Sequence, residues 1–430
     1  MRLSTLVRLW LPLAISFELM MLEGPAIQSV MGRLPHTALN LAAFGLTFSI
    51  SLIIESPVIM LISTAIALVD SEQAYYALRR FTIQLAVWCT VVSGLVAFTP
   101  LFDFVASKLM GQPHEIIEAA RIPLRIMLFW AGAIAWRRFY QGVLVRYKQT
   151  RKVSVGTGIR LASAIITGYG LLYWGKIPGA QVAAWTVEVA VITEAIAITL
   201  FALPLLRAEI PYLPKRKEPL TARAIWQFHL PLAATTLLTL LAQPLTASAL
   251  ARLVFRDKTL AAWPVVYMVL LVIRGWGFSL QEITIAQAGN EEARPTLRRF
   301  ASLVGWTTSA FTLFVVLTPL LSLYTNKVLR LSLDLQSYVF VGVTIGFLMP
   351  LFTSLSSWAR GLLVHQGMTK AVYRGMGINL TGHITLLVIG VALKLPGMWV
   401  AAIAFSIASA LEYLYLLRCA NAHKPIAGNT

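Results

Sequence analysis

Residues 42–60 read AAFGLTFSISLIIESPVIM, and 219 positions further on residues 261–279 read AAWPVVYMVLLVIRGWGFS. Both stretches are apolar and about as long as a membrane-spanning helix, which needs roughly 20 apolar residues. Each stretch carries a single charge at the same place, Glu55 in the first and Arg274 in the second. The two stretches therefore indicate a duplicated membrane protein whose halves differ in the sign of one intramembrane charge.

The composition of the whole chain supports this reading. Its 430 residues are 58% hydrophobic and only 13% charged, with a mean hydropathy of +0.74. A soluble protein is about 45–50% apolar and about 25% charged, so we predict a multi-pass membrane protein. Twelve stretches are apolar enough to be predicted spans, at 8–31, 41–68, 81–101, 122–146, 153–174, 179–205, 226–252, 260–287, 300–323, 339–365, 372–393 and 397–418.

Further matches at the same offset extend the repeat over most of the chain. The tetrapeptide LPLA occurs at 11–14 and 230–233, and LRRF occurs at 78–81 and 297–300. Because six spans per half is an even number, both halves insert with the same orientation and form parallel repeats. The predicted fold is therefore all-α, with 12 transmembrane helices as two parallel six-helix repeats.

The domain organisation and orientation follow from the polar segments. Residues 1–206 form the predicted N-terminal lobe, 207–224 a cytoplasmic linker, and 225–430 the C-terminal lobe. Lys and Arg are concentrated in the termini and in alternate loops, which predicts cytoplasmic termini in the cell (inner) membrane.

The net charge of +18 fits loops beside anionic lipid, and no nucleic-acid motif accompanies it. The two cysteines form no paired motif, so neither a metal nor a cofactor is expected.

Two equivalent loops carry a family resemblance. They read IALVDSEQAYYALRRF at 66–81 and IAQAGNEEARPTLRRF at 285–300, and both resemble the loop pattern of MATE-type exporters. GVLVRYKQTRKVSVGTGIR, at 142–160, is similar to a helical hairpin of the superfamily that joins MATE exporters with lipid II and polysaccharide flippases. The resemblance implies two six-helix repeats and a transport function. LAAFGLTFSI, at 41–50, is similar to the progressive ankylosis family, which would imply export of small anions such as citrate or pyrophosphate.

Three glutamates of the first half are candidates for ion coupling: Glu18, Glu23 and Glu55. An ionisable group at the bilayer centre costs about 2.5–3.5 kcal/mol on insertion scales, so such residues face a cavity or a partner. A poorly hydrated carboxylate can take up a proton near neutral pH, or it can bind sodium. The alternative for Glu18 and Glu23 is a structural hydrogen bond to a neighbouring helix.

Arginines within the spans suggest an anionic cargo. Arg137, Arg138 and Arg274 are predicted to bind the phosphate or carboxylate groups of a substrate. Two alternatives remain open: these arginines neutralise the glutamates, and Glu55 and Arg274 either pair with each other or pair within their own halves. Four further residues are predicted to be structural or gating charges, namely Glu194, Glu412, Arg125 and Arg160.

The sequence thus predicts a secondary active transporter, an exporter or flippase that works by alternating access. The expected partners are a small-molecule or lipid-linked substrate that is anionic or amphiphilic, membrane lipids, and a coupling proton or sodium ion, and the protein is expected to act as a monomer. One alternative is a major-facilitator-type transporter, although neither loop after the second helix of a half carries that family's signature. The other alternative is a membrane-embedded lipid-modifying enzyme, which needs clustered Asp, His or Cys residues that this chain lacks.

Overall fold

The computed structural model describes residues 3–110, 112–215, 218–250, 252–329 and 331–422. Within these residues the chain is helical and contains no strand apart from an isolated bridge between Val254 and Pro396. The predicted all-α membrane fold is thereby confirmed. The termini, and Arg216 and Lys217 of the predicted linker, lie outside the described residues.

The described residues of the first half form nine α-helices. They are α1 (Leu3–Met31), α2 (Thr37–Glu55), α3 (Leu61–Leu68), α4 (Glu72–Phe98), α5 (Leu101–Asp103), α6 (His114–Ile126), α7 (Trp130–Arg146), α8 (Thr150–Trp174) and α9 (Gly179–Ala208). A π-helical turn at Phe104–Leu109 follows α5, and a 3-10 turn at Met127–Phe129 joins α6 to α7.

The second half repeats this order of helices. They are α10 (Ala222–Leu250), α11 (Arg256–Phe278), α12 (Leu280–Gln287), α13 (Ala293–Leu317), α14 (Leu320–Leu323), α15 (Leu333–Ile345), α16 (Met349–His365), α17 (Thr369–Ala392) and α18 (Gly397–Ala422). A π-helical turn at Tyr324–Val328 and a 3-10 turn at Gly346–Leu348 recur at the equivalent places. The internal duplication therefore extends from the sequence to the irregular turns of the backbone.

Ten helical segments among the described residues are long and apolar enough to cross a membrane. The two other predicted spans, 41–68 and 122–146, are helical but interrupted. The first is broken after Glu55, where Pro57 has no amide hydrogen to donate to a carbonyl of the preceding turn. The second carries several arginines. Its 3-10 turn at Met127–Phe129 is not the reason that it falls short, because the segment Leu333–His365 contains the equivalent turn and still qualifies. The order of both spans along the chain matches the prediction.

The helices group into two compact units. One comprises Ile15–Ala233, and the other comprises the chain up to Ala14 together with the chain from Ala234 onward. The first turns of α1 and of α10 therefore belong to the unit built mainly from the other half. The predicted lobe boundaries stay a prediction, and these two stretches are where the units depart from them.

In each unit, a side-chain ring nitrogen holds the first turns of α1 or α10 at the break in a second span, which belongs to the half that makes up most of that unit. His229 Nε2 on α10 donates to the carbonyl of Pro57 at 2.8 Å, and its Nδ1 lies 2.9 Å from Thr64 Oγ1. In the other unit, Trp10 Nε1 on α1 donates to the carbonyl of Trp276 at 3.2 Å. Both carbonyls are freed where the helix ends, so a side-chain donor replaces the missing helical partner. The break that ends α2 at Glu55 is thus held in place by two hydrogen bonds of one histidine.

Two equivalent glycines set the close packing of the fourth span against the second. A Cβ at Gly142 would lie 2.6 Å from both the Ala65 Cβ and the Ile62 carbonyl oxygen. A Cβ at Gly361 would meet Gln281 and Thr284 at the same distance. We expect Gly142→Ala and Gly361→Ala each to destabilise the protein by about 1–3 kcal/mol through overpacking.

The matched controls for these glycines are Gly158→Ala and Gly377→Ala, where no atom lies within 4 Å of the added Cβ. Thermal unfolding of the purified variants in detergent measures the difference. Equal midpoints for the test and control variants would contradict the packing argument.

Candidate functional site

A buried glutamate on α9 organises the polar core of the first half. Glu194 is fully buried, and its Oε2 accepts from Arg137 Nη1 at 2.7 Å. Its Oε1 accepts from Gln141 Nε2 and from Thr157 Oγ1, each at 3.1 Å. Arg137 and Gln141 lie four residues apart on α7, and therefore project from the same face of that helix. Both Glu194 oxygens are thus fully engaged.

Arg160 links this centre to α1. It lies three residues after Thr157 on the same face of α8, and its Nη1 lies 3.6 Å from Glu194 Oε2. Its Nε donates to Glu23 Oε1 at 3.0 Å, and its Nη2 donates to Glu23 Oε2. The result is a fork-to-fork pair between α1 and α8, the geometry in which arginine binds a carboxylate most strongly. Glu23 is therefore held in a buried ion pair.

The other two candidate glutamates are arranged differently. Glu55 is 5% exposed at the end of α2, and its Oε2 has no hydrogen-bond partner among the described residues. The charges of Arg137, Arg138 and Arg160 act on its carboxylate from within the same unit. Glu18 is partly buried on α1, and its Oε1 also has no partner within the described part of the chain. The structure thus separates Glu18 and Glu55 from the paired Glu23.

The remaining candidate arginines of the first half occupy unlike places. Arg138 is buried, and its Nη1 donates to Gln141 Oε1 at 3.4 Å. Arg125 is exposed, donates to the Ala97 carbonyl at 3.2 Å, and lies over the Phe98 ring at 5.1 Å. Arg138 belongs to the polar core, whereas Arg125 lies at its periphery.

The second half has its own buried centre at Glu412 on α18. Arg360 on α16 donates to Glu412 Oε1 from Nε at 2.7 Å and also from Nη2. Asn379 on α17 donates to Glu412 Oε2 at 2.9 Å. Arg274 on α11 donates from Nε to Thr353 Oγ1 at 2.7 Å, and its guanidinium lies 5.2 Å from the Phe405 ring centroid. Glu55 and Arg274 thus each lie among residues of their own unit.

The two centres keep the same glutamate but obtain its cation from different helix positions. At the repeat offset, Arg360 stands where the first half has Gln141, and Asn379 stands where it has Arg160. Ser356 replaces Arg137. The glutamate is common to both halves, while the groups around it differ, so the two halves present different charges on one scaffold.

Several residues of these centres were not predicted from the sequence. Gln141, Thr157, Asn379 and Thr353 all donate to or accept from the predicted charges. Glu188 on α9 is 3% exposed, and neither of its carboxyl oxygens has a hydrogen-bond partner in the described residues. The signal for Gln141 was present, because the repeat aligns it with an arginine inside a predicted span.

No group of three or more histidine, cysteine, aspartate or glutamate side chains within the described ranges is arranged to hold a metal ion. The polar cores are built from arginine–glutamate pairs and amide or hydroxyl groups.

Comparison with known proteins agrees with this architecture. Residues 12–170 match the MatE family model. No curated protein sequence matches the chain. A variant of the VcmN MATE transporter of Vibrio cholerae has a TM-score of 0.79 at 15% identity, over 98% of each chain. A MOP superfamily transporter from Pyrococcus furiosus has a TM-score of 0.74 at 17% identity, over 98% of this chain and 96% of that one.

A multidrug resistance MATE transporter in its outward-facing conformation is similarly close, with a TM-score of 0.73 at 16% identity. It covers 98% of this chain and 96% of its own. The resemblance read from the loops is thereby confirmed, and the three solved structures named above are each described as a transporter. The chain therefore carries a MatE domain at residues 12–170 and has the fold of the MATE transporters of the MOP superfamily.

Proposed function

We propose that the protein is a secondary active transporter, an exporter or flippase that couples movement of an anionic or amphiphilic substrate to a proton or sodium ion. It would work by alternating access as a monomer in the cell membrane, with both termini cytoplasmic. The observation that carries the proposal is that Glu18 and Glu55 each keep a buried oxygen without a hydrogen-bond partner among the described residues, and that the charges of three buried arginines act on Glu55. A buried carboxylate without a partner is costly, and binding a cation removes that cost.

Charge matching in the first half indicates how coupling would work. When Glu55 is ionised and Glu188 is protonated, the three buried arginines Arg137, Arg138 and Arg160 are matched by Glu23, Glu55 and Glu194. Neutralising Glu55 leaves this core with excess positive charge, which an anionic group of the substrate can compensate. Cation binding at Glu55 and anion binding nearby would therefore favour each other, and the effect is reciprocal.

We assign the predicted site residues to coupling, structural and anion-binding roles according to their contacts. Glu18 and Glu55 take the coupling role, while Glu23, Arg160 and Glu194 hold α1, α8 and α9 together. Arg137 donates to Glu194 from Nη1 at 2.7 Å, so we assign it to neutralising that glutamate. Arg138 and Arg274 remain the proposed contacts for anionic groups. The Pyrococcus furiosus transporter is described as having a binding pocket of reverse polarity. This supports the view that proteins of this fold carry substrates of different charge.

A labelling experiment tests the coupling residues without knowledge of the cargo. A protonated carboxyl group in apolar surroundings adds to dicyclohexylcarbodiimide, with its proton going to a carbodiimide nitrogen and its oxygen to the central carbon, and mass spectrometry locates the adduct. We expect Glu55, Glu18 or both to be labelled, with less labelling as the pH rises because the reactive protonated form is lost. Glu23, Glu194 and Glu412 serve as internal controls, since each is ion-paired.

Addition of sodium at constant pH distinguishes the coupling ions, because a bound sodium ion protects the carboxylate. Labelling of Glu194 to the same extent as Glu55, or of neither Glu18 nor Glu55, would contradict the assignment.

A further inference from the structure

The second half encloses a cavity of about 100 Å³ beside Arg274. It lies among α10, α11, α16, α17 and α18, wholly within one compact unit. An ordered water occupies about 30 Å³ in the liquid, so the cavity has room for roughly three waters or one small ion. Its lining includes Ala242, Arg274, Ser356, Arg360 and Glu412.

The wall of this cavity is rich in hydrogen-bond donors that have no acceptor. Among the described residues, the only hydrogen bond of Arg274 is the one from Nε to Thr353, so its two terminal nitrogens are available. Ser356 is 4% exposed, and its Oγ is buried without a partner in the described part of the chain. A buried donor left unsatisfied costs about 1–3 kcal/mol, which a ligand in the cavity would recover.

The charge of the cavity is positive. Arg274 and Arg360 are its two cationic residues, and Glu412 is its one carboxylate. Glu412 already accepts from Arg360 and Asn379. No described carboxylate lies within ion-pair distance of Arg274, which is stacked instead against Phe278 and Phe405. One positive charge therefore remains without an anion of the protein.

The internal repeat shows how this imbalance arises. In the first half, Glu23 and Glu55 occupy the positions equivalent to Ala242 and Arg274. The second half thus lacks both carboxylates and carries an additional arginine on the same scaffold. A cation site is disfavoured there, because a bound cation would face two arginines and one carboxylate that is already paired.

We propose that this cavity binds a small monovalent anion, a halide or the carboxylate of a short-chain acid, held by the terminal nitrogens of Arg274 and by Ser356 Oγ. The anion takes the place that a glutamate holds in the first half. This site rests on the proposed function in one respect, because Arg274 is among the arginines assigned there to anionic groups, and it adds the class of ion that is bound within this half.

Binding is measured on the full-length protein in detergent, with chloride, bromide, nitrate or acetate replaced by gluconate at constant ionic strength. We expect the unfolding midpoint to rise with the concentration of each small anion and not with gluconate, which the cavity cannot hold. Bromide soaked into crystals should give an anomalous peak beside the Arg274 guanidinium.

Two variants and a control make the test specific. Arg274→Gln should weaken the apparent affinity for bromide roughly 10- to 100-fold, as expected for loss of a charge-assisted hydrogen bond. Ala242→Glu restores the carboxylate of the first half and should make the unfolding midpoint independent of the anion. Arg374→Gln removes an exposed arginine of the same half and should leave the anion dependence unchanged.

The proposal is overturned if the wild-type midpoint is the same in chloride and gluconate, or if Ala242→Glu keeps the wild-type anion dependence. The second variant decides the question even if Arg274→Gln does not fold. Neither readout requires transport, so failure of the anion site and failure of the transport proposal are distinguishable.

Discussion

Glu55→Gln is expected to abolish accumulation driven by a pH gradient in reconstituted vesicles. Glutamine keeps the size and hydrogen-bonding capacity of the side chain but cannot ionise, so the charge that biases the conformational equilibrium is lost. Coupling free energies are typically about 1–3 kcal/mol, which corresponds to a loss of about 5- to 150-fold in gradient-driven accumulation. The assay follows radiolabelled citrate and pyrophosphate, the anions implied by the sequence resemblance, together with a cationic amphiphilic dye.

The matched control is Glu118→Gln. Glu118 is an exposed carboxylate that pairs with Arg121 at 2.7 Å on the surface of α6, so its loss should leave accumulation near the wild-type level. Glu18→Gln tests the second unpartnered carboxyl group. If Glu55→Gln and Glu18→Gln both accumulate these probes as the wild type does, proton coupling through the first half is wrong.

Arg137→Met is expected to cause the largest loss of stability among the charged residues. It removes the closest cation of the fully buried Glu194, and breaking a buried ion pair from one side costs about 3–5 kcal/mol. The double variant Arg137→Met with Glu194→Met should lose less than the sum of the two single variants, because no unpaired charge of that pair remains buried. Unfolding in denaturant gives the free energies for this cycle.

The control for this cycle is Arg125→Met. Arg125 is exposed, and its acceptor is the backbone carbonyl of Ala97, so we expect a cost of about 1 kcal/mol. The ion-pair argument fails if Arg137→Met is no more costly than Arg125→Met, or if the cycle shows strict additivity.

The sequence by itself determined that this is a multi-pass membrane protein and that its two halves are an internal duplication. Hydrophobic length and composition are properties of a local stretch, so most of the predicted spans reappear as helices. The register of the repeat likewise survives in the structure, where the π-helical and 3-10 turns recur in both halves. That Glu55 and Arg274 occupy equivalent positions follows from the offset of the sequence repeat alone.

Only the tertiary structure decided which charges meet. Glu23 and Arg160 are 137 residues apart, and Arg137 and Glu194 are 57 apart, so no local pattern pairs them. Glu23 resembled Glu18 and Glu55 in the sequence, yet it alone of the three is ion-paired among the residues that the structure describes. The reason is physical: a side chain's partner is fixed by how helices pack and which faces they turn to each other, and hydropathy along one chain carries no record of that packing.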